Sequence, residues 1–401
     1  MSHHRLFFRA ASSALLLIAL SIELIDELVD GASGAAWPSI RSELSLSYLE
    51  VGLLLGLPTL LSILVEPAMG LLADAGWRRR LILGGGSAFT AALALLAAAG
   101  GFWPLLAAWA LFYPASGAFV TLTQAALMDA DPGRREQNMA RWALAGSLGN
   151  FAGPLMMGLF VSAGAGWRPV FVLLALVSAL ALLAAWRAPA LLGPSGPQTE
   201  TASLRALWQD GLDAARSALR RADVRGALLL LECANLLLDV LRAFLALYLV
   251  DAAGSGPAEA ALAVAIFTGA GLLGDALAVR VLERVAGARY VWWSALAAAL
   301  VFAAFLLVPS VTAKLILLAA LGPLTSGWYA VLQARLYGLL PERSGTAVAL
   351  GTLGSALGAG VPVLLGLLAQ RLGLEAAMWL LLLGPLALLL GLQRAAREAA
   401  R

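Results

Sequence analysis

The chain has 401 residues, 61% hydrophobic and 13% charged, where a soluble domain carries roughly 45–50% and about 25%; a water-soluble fold of this make-up would expose large apolar patches, so lipid is the expected solvent. The net charge of +3 comes from 26 Arg and Lys314 against 24 acids; it is spread over loops, and no nucleic-acid partner is expected. One cysteine (Cys233) and two histidines (His3, His4) exclude a disulfide framework and leave zinc or copper without ligands, so neither a metal site nor a cofactor is expected.

A membrane-crossing helix takes about 20 mainly apolar residues. In chain order such stretches fall at 11–35, 47–73, 81–101, 104–129, 138–164, 169–187, 226–251, 258–280, 290–308, 312–339, 345–370 and 375–393. The fold class is therefore all-α, a polytopic membrane protein with twelve transmembrane helices. The first stretch carries four carboxylates and lacks a clear cleavage site, so it reads as a retained span rather than a signal peptide. With the N-terminus in the cytoplasm, 22 basic residues fall on the inner side and four (Arg41, Arg168, Lys314, Arg371) on the outer, leaving Arg242 inside a span. That asymmetry places both termini in the cytoplasm and the protein in the inner (plasma) membrane. Between spans six and seven, Pro189, Pro194 and Pro197 open a polar linker. Its segment 203–221 reads as an amphipathic helix resting on the inner leaflet. The expected division is a six-helix bundle at 1–188, a linker at 189–225 and a second bundle at 226–401.

The two bundles are a duplication. At an offset of 209 residues Glu23, Asp26 and Asp30 fall on Glu232, Asn235 and Asp239, Gln124 falls on Gln333, and Gly149 on Gly358. With slips, 70-GLLAD-74 meets 271-GLLGD-275, and Pro154 and Gly158 meet Pro362 and Gly366. Leucines would match at any offset; intramembrane acids and glutamines would not. Parallel repeats with a midplane site are a common transporter plan.

The segment 70-GLLADAGWRRR-80 resembles motif A of the major facilitator superfamily: Gly70, Asp74, Arg78 and Arg79 fall on its positions, while Ala75 and Trp77 depart from it. The fifth span, 149-GNFAGPLMMG-158, is similar to that family's motif C, with Gly149, Gly153, Pro154 and Gly158 in place. The segments 36-AWPSIRSEL-44 and 166-GWRPVF-171 are also similar to the family's, and the resemblance covers essentially the whole chain. It implies a secondary transporter of two pseudo-symmetric bundles working by rocker-switch alternating access. Motif A and its repeat (Gly271, Asp275) would act in gating, and motif C implies antiport or efflux. Drug/proton antiporters of the family carry an Arg in span four; 104–129 has none.

Acids inside spans carry the functional signal. In 22-IELIDELVDG-31, Glu23, Asp26, Glu27 and Asp30 share an arc of about 100°, and each would cost about 2.5–3.5 kcal/mol facing lipid at mid-membrane. They must line a polar cavity or be paired. Glu66 adds an acid on span two; span seven aligns Glu232, Asn235, Asp239 and Arg242. Seven acids against one intramembrane cation cannot all stay charged, so protons or a bound cation must compensate them. Bland alternatives stand beside these readings. Asp239–Arg242 also reads as a structural ion pair, Glu66 as a packing hydrogen bond, and Glu27 and Asp30 as solvated vestibule residues. Gln124 and Gln333 could bind substrate or tie helices; Trp328 and Tyr329 could stack on a cation or pack the core. Trp37, Trp103 and Trp167 read as interfacial anchors. The expected partners are a small-molecule substrate, protons and the bilayer, with the protein a monomer and not an enzyme. The expected function is proton-coupled efflux of a cationic or amphipathic small molecule, with a divalent-cation exporter or a proton-coupled uptake symporter as alternatives.

Overall fold

A computed structural model describes residues 2–130, 134–187, 219–339, 356 and 358–398. Most of the linker, including nearly all of 203–221, and the opening of the eleventh span lie outside these residues. All regular structure among the described residues is helical.

The first unit takes in Met1–Leu46 and Leu57–Ala202, the second Ser47–Gly56 and Ser203–Arg401. The first holds α1 (Ser2–Leu44), α3 (Arg78–Ala98), α4 (Phe102–Ser116), α5 (Leu122–Ala130), α6 (Arg135–Ser162) and α7 (Arg168–Arg187). Helix α2 (Tyr48–Leu72) begins in the second unit and continues in the first, whereas the sequence suggested two contiguous halves. The second unit contains α8 (Ala222–Asn235), α9 (Leu241–Asp251), α10 (Pro257–Leu282), α11 (Gly287–Leu307), α12 (Val311–Thr325), α13 (Trp328–Leu339), α14 (Gly360–Leu372), α15 (Leu374–Met378) and α16 (Leu383–Glu398).

Helix ends follow the turn chemistry of the sequence. Gly164 and Gly166 (φ +75° and +77°) turn the chain between α6 and α7, and Gly254 (φ +73°) precedes Pro257, which opens α10. These left-handed positions suit glycine, and proline suits a first helical turn. The Ser310 hydroxyl caps α12 by accepting from the Ala313 amide at 3.4 Å.

Ten helices among the described residues are long and apolar enough to cross a membrane. The acid-bearing α1 is not one of them, and span eleven is represented by the shorter α14. Two expected spans are irregular at related places. The fourth winds as a π-helix over Gly117–Thr121, just after Pro114. The tenth, expected unbroken over 312–339, breaks after Pro323 at Ser326–Gly327, where Gly327 has φ +72°. Pro114 and Pro323 are related by the 209-residue offset; proline removes a backbone donor and frees the turn before it. The seventh span has its own π segment, Leu236–Val240.

Two side-chain expectations are corrected. Trp37 and Trp167 are 1% exposed: they pack inside the first unit, where Trp167 Nε1 donates to Glu43 at 2.6 Å, and are not interfacial anchors. Lys314, expected among the outer loop charges, is 3% exposed inside the second unit.

Candidate functional site

The centre of the first unit is the seam between α1 and α6, set by glycines that let the backbones touch. A methyl group added at Gly149 would fall 2.7 Å from the Leu24 carbonyl oxygen, and one at Gly153 would fall 2.6 Å from the Leu28 carbonyl. From the other side, one at Gly31 would meet the Asn150 carbonyl at 2.8 Å and Pro154 Cδ at 2.9 Å. The glycines and proline of the motif-C segment thus form a packing surface for α1; Gly158 lies further along α6.

That close approach brings acids against α6. Glu23 is buried, and a methyl at Gly146 would lie 2.6 Å from its Oε1. The Asn150 amide donates to Glu27 Oε2 at 2.5 Å. Asp26 is half-buried on the α4 side, accepting from the Ser116 hydroxyl at 2.8 Å. Ser116 directly precedes the π segment whose first residue, Gly117, faces Glu66: a methyl there would be 2.8 Å from Glu66 Cγ. Glu66 also accepts from the Ser62 hydroxyl. Asp30 is exposed. The partners found for Asp26, Glu27 and Glu66 here are neutral donors, which hold a carboxylate in place without cancelling its charge.

The second unit repeats part of this plan. Half-buried Glu232 lies against Gly358, the counterpart of Gly149, so closely that a side chain there would collide with it. Asn235 hydrogen-bonds Glu232. Asp239, in the π segment, pairs with Arg242 at 3.2 Å. A second cation lies deeper: Lys314 Nζ donates to Tyr248 Oη at 2.9 Å and to the Phe305 carbonyl at 2.5 Å, with the rings of both residues about it at 5.0 and 4.8 Å.

The motif-A repeat hydrogen-bonds the broken tenth span. Asp275 accepts from the Gly327 amide at 3.1 Å, and the Ser326 hydroxyl donates to the Gly271 carbonyl at 2.8 Å. Tyr290 Oη donates to the Ser326 carbonyl at 2.9 Å. A carboxylate so placed satisfies a free amide at the start of α13. In the first unit Arg78 pairs with Asp129 at 2.7 Å; Arg79 is half-buried, Gly70 faces open space, and the Asp74 side chain lies outside the description. Trp328 is fully buried, with Nε1 donating to Ser294 at 2.8 Å, while Tyr329 is exposed. Gln124 donates to Met139 Sδ at 3.6 Å, and Gln333 is half-buried.

Reasoning from sequence missed Ser116, Asn150, Ser326 and the burial of Lys314. Ser116 and Thr325 are hydroxyl residues at the repeat offset, each two residues after the shared proline, and Asn150 directly follows the first glycine of motif C; both signals were available. No group of three His, Cys, Asp or Glu residues suited to a metal ion occurs among the described residues.

Apolar spanning helices in two units, with carboxylates held among them, define a multi-pass membrane transporter. The chain belongs to the Major Facilitator Superfamily, whose family model matches residues 15–359. Among characterised proteins it is similar to the fosmidomycin resistance protein of Escherichia coli (strain K12), 29% identical over 180 residues. That match spans 43% of each chain, less than half the relative's length. Among solved structures it shares its fold with a bacterial homologue of the human lysosomal transporter Spinster (TM-score 0.75, 18% identity, 97% of this chain and 98% of that one). It shares it also with the nucleoside transporter NupG (0.72, 15%, 96% and 99%) and a D-xylose-proton symporter (0.71, 14%, 95% and 96%).

Proposed function

We propose that this secondary transporter is a proton-coupled exporter of a cationic or amphipathic cationic small molecule. It works as a monomer by alternating access in the inner membrane, with both termini cytoplasmic. The observation that carries this reading is the set Glu23, Asp26, Glu27 and Glu66, held in the first unit by glycine gaps and neutral donors. A carboxylate held inside the bundle on a neutral donor, as Asp26 is on Ser116, can exchange a proton for a cationic group, which is what antiport requires. Lys314, once removed from the outer tally, leaves three outer basic residues (Arg41, Arg168, Arg371) against 22 inner ones, which supports the orientation.

Export is favoured by motif C and by the likeness to a resistance protein. The divalent-cation alternative would need carboxylates converging on one point, and no such group exists among the described residues. Uptake of an anionic solute would use Arg242, which Asp239 already engages.

The test is export of ethidium from proteoliposomes driven by an imposed proton gradient. Glu23→Gln and Asp26→Asn, each eluting as intact protein in detergent, are expected to abolish gradient-driven export. Undiminished export in both would remove the acids from the mechanism.

A further inference from the structure

The duplication supplies an internal control for the α1–α6 seam. An acid of the first helix lies against a glycine of the fifth in both units, though between different offset positions: Glu23 against Gly146 and Glu27 against Gly149 in the first, and Glu232 against Gly358 in the second. What packs the helices is therefore common to the two copies. The next residue differs. At the 209-residue offset Asn150 corresponds to Ala359 and Glu27 to Leu236, so the amide and the carboxylate it holds occur together in the first unit and are both replaced by apolar residues in the second. An amide and the carboxylate it bonds, present together in one copy and both apolar in the other, are not required by the glycine packing that both seams share.

We propose that Asn150 is a positioning residue for Glu27: its amide holds that carboxyl group in both charge states and so ties proton binding on α1 to the seam with α6. This rests on the exporter reading above. The chemistry suits an amide. Towards the carboxylate, Nδ2–H donates, as it does here at 2.5 Å; when Glu27 takes a proton from solution, the new O–H can donate to Asn150 Oδ1 after the amide turns. A hydroxyl can also reverse its bond, but Ser116 serves Asp26. Gly149 is what allows the reach, because a methyl there would be 2.7 Å from Glu27 Cβ.

Charged groups lie on several of the elements about α1. Glu23, Asp26 and Asp30 are on α1 itself. On α6, Arg141 bonds Asn138, and Arg135 and Glu136 open the helix about four turns before Asn150. On α5 Asp129 is paired with Arg78, on α7 Arg168 is paired with Glu43 and Arg187 closes the far end, and Glu66 of α2 bonds Ser62.

The test follows the carboxylic-acid C=O stretch by infrared titration of the full chain in phosphatidylcholine vesicles. It compares the wild type, Asn150→Leu, Asn150→Gln and each change in a Glu27→Gln background. Loss of the donor disfavours the charged form, so Asn150→Leu should raise the midpoint of one carboxyl by about one pH unit. Asn150→Gln should restore it in part, and the shift should vanish in the Glu27→Gln background. An unmoved midpoint, or an equal shift without Glu27, overturns the proposal. If Asn150→Leu fails to fold, Asn150→Ala, which also removes the donor, is read by the same criteria. Ethidium export by the wild type judges the exporter reading separately: its absence would sink that reading, while the infrared titration would still decide the Asn150–Glu27 link.

Discussion

The two units hold the acids of their spans on partly different partners: Glu232 of the second rests on neutral Asn235, as acids of the first rest on neutral donors, but Asp239 does not. In the first, Asp26, Glu27 and Glu66 rest on Ser116, Asn150 and Ser62. In the second, Asp239 is paired with Arg242, and Lys314 is sealed among Tyr248 and Phe305. A carboxylate bonded to neutral donors keeps its charge available to a proton or a cationic ligand; one bonded to a guanidinium has largely spent it. On the proposed reading, one duplicated scaffold divides labour, with proton chemistry in the first unit and structural charge in the second.

The sharpest way to break this comparison is to neutralise an acid in each copy. Asp26→Asn is expected to cut proton-driven ethidium export by about 100-fold or more, the scale of ~2.7 kcal/mol in a barrier. Asp239→Asn, whose partner is half-exposed, should leave export within about threefold. Equal losses would erase the division. Next in size is the seam: Gly153→Leu forces a side chain into the α1 backbone and should destabilise the fold by about 1–3 kcal/mol or more. Gly70→Ala, facing open space, should leave the melting temperature unchanged; thermal unfolding in detergent separates the two. Lys314→Met keeps the stem but leaves Tyr248 Oη and the Phe305 carbonyl without their donor, and should cost about 1–3 kcal/mol with export rate per folded molecule retained. Loss of coupling in that variant would move part of the chemistry into the second unit. Smallest is the motif-A repeat. Asp275→Ala removes the bond to the Gly327 amide and should cost about 1 kcal/mol, read as a modest fall in melting temperature.

Much of the fold was legible in the sequence because lipid imposes long apolar runs and a charge asymmetry, and because glycine and proline punctuate them. The acids on α1 were legible too: nothing else in a membrane span stands out against leucine and alanine so clearly. What lay hidden were the partners. Ser116 and Asn150 carried faint positional signals, but their bonds to Asp26 and Glu27 arise only when α4 and α6 are laid against α1. Lys314 was misplaced because a lysine near a helix start reads as a loop charge until the rings of Tyr248 and Phe305 close over it. The break at Ser326–Gly327 was masked by the apolar residues around it, although 322-GPLTSG-327 carried both proline and glycine.

Proton release on substrate binding tests the central claim most directly. Purified protein in weakly buffered detergent solution is mixed with saturating ethidium, and the pH is followed with an indicator dye. Release of protons by the wild type, lost in Asp26→Asn and retained in Asp239→Asn, is the expected result. Ethidium binding with no proton released, or release that depends on Asp239 rather than on Asp26, would contradict an exchange of proton for cation at the acids of the first unit.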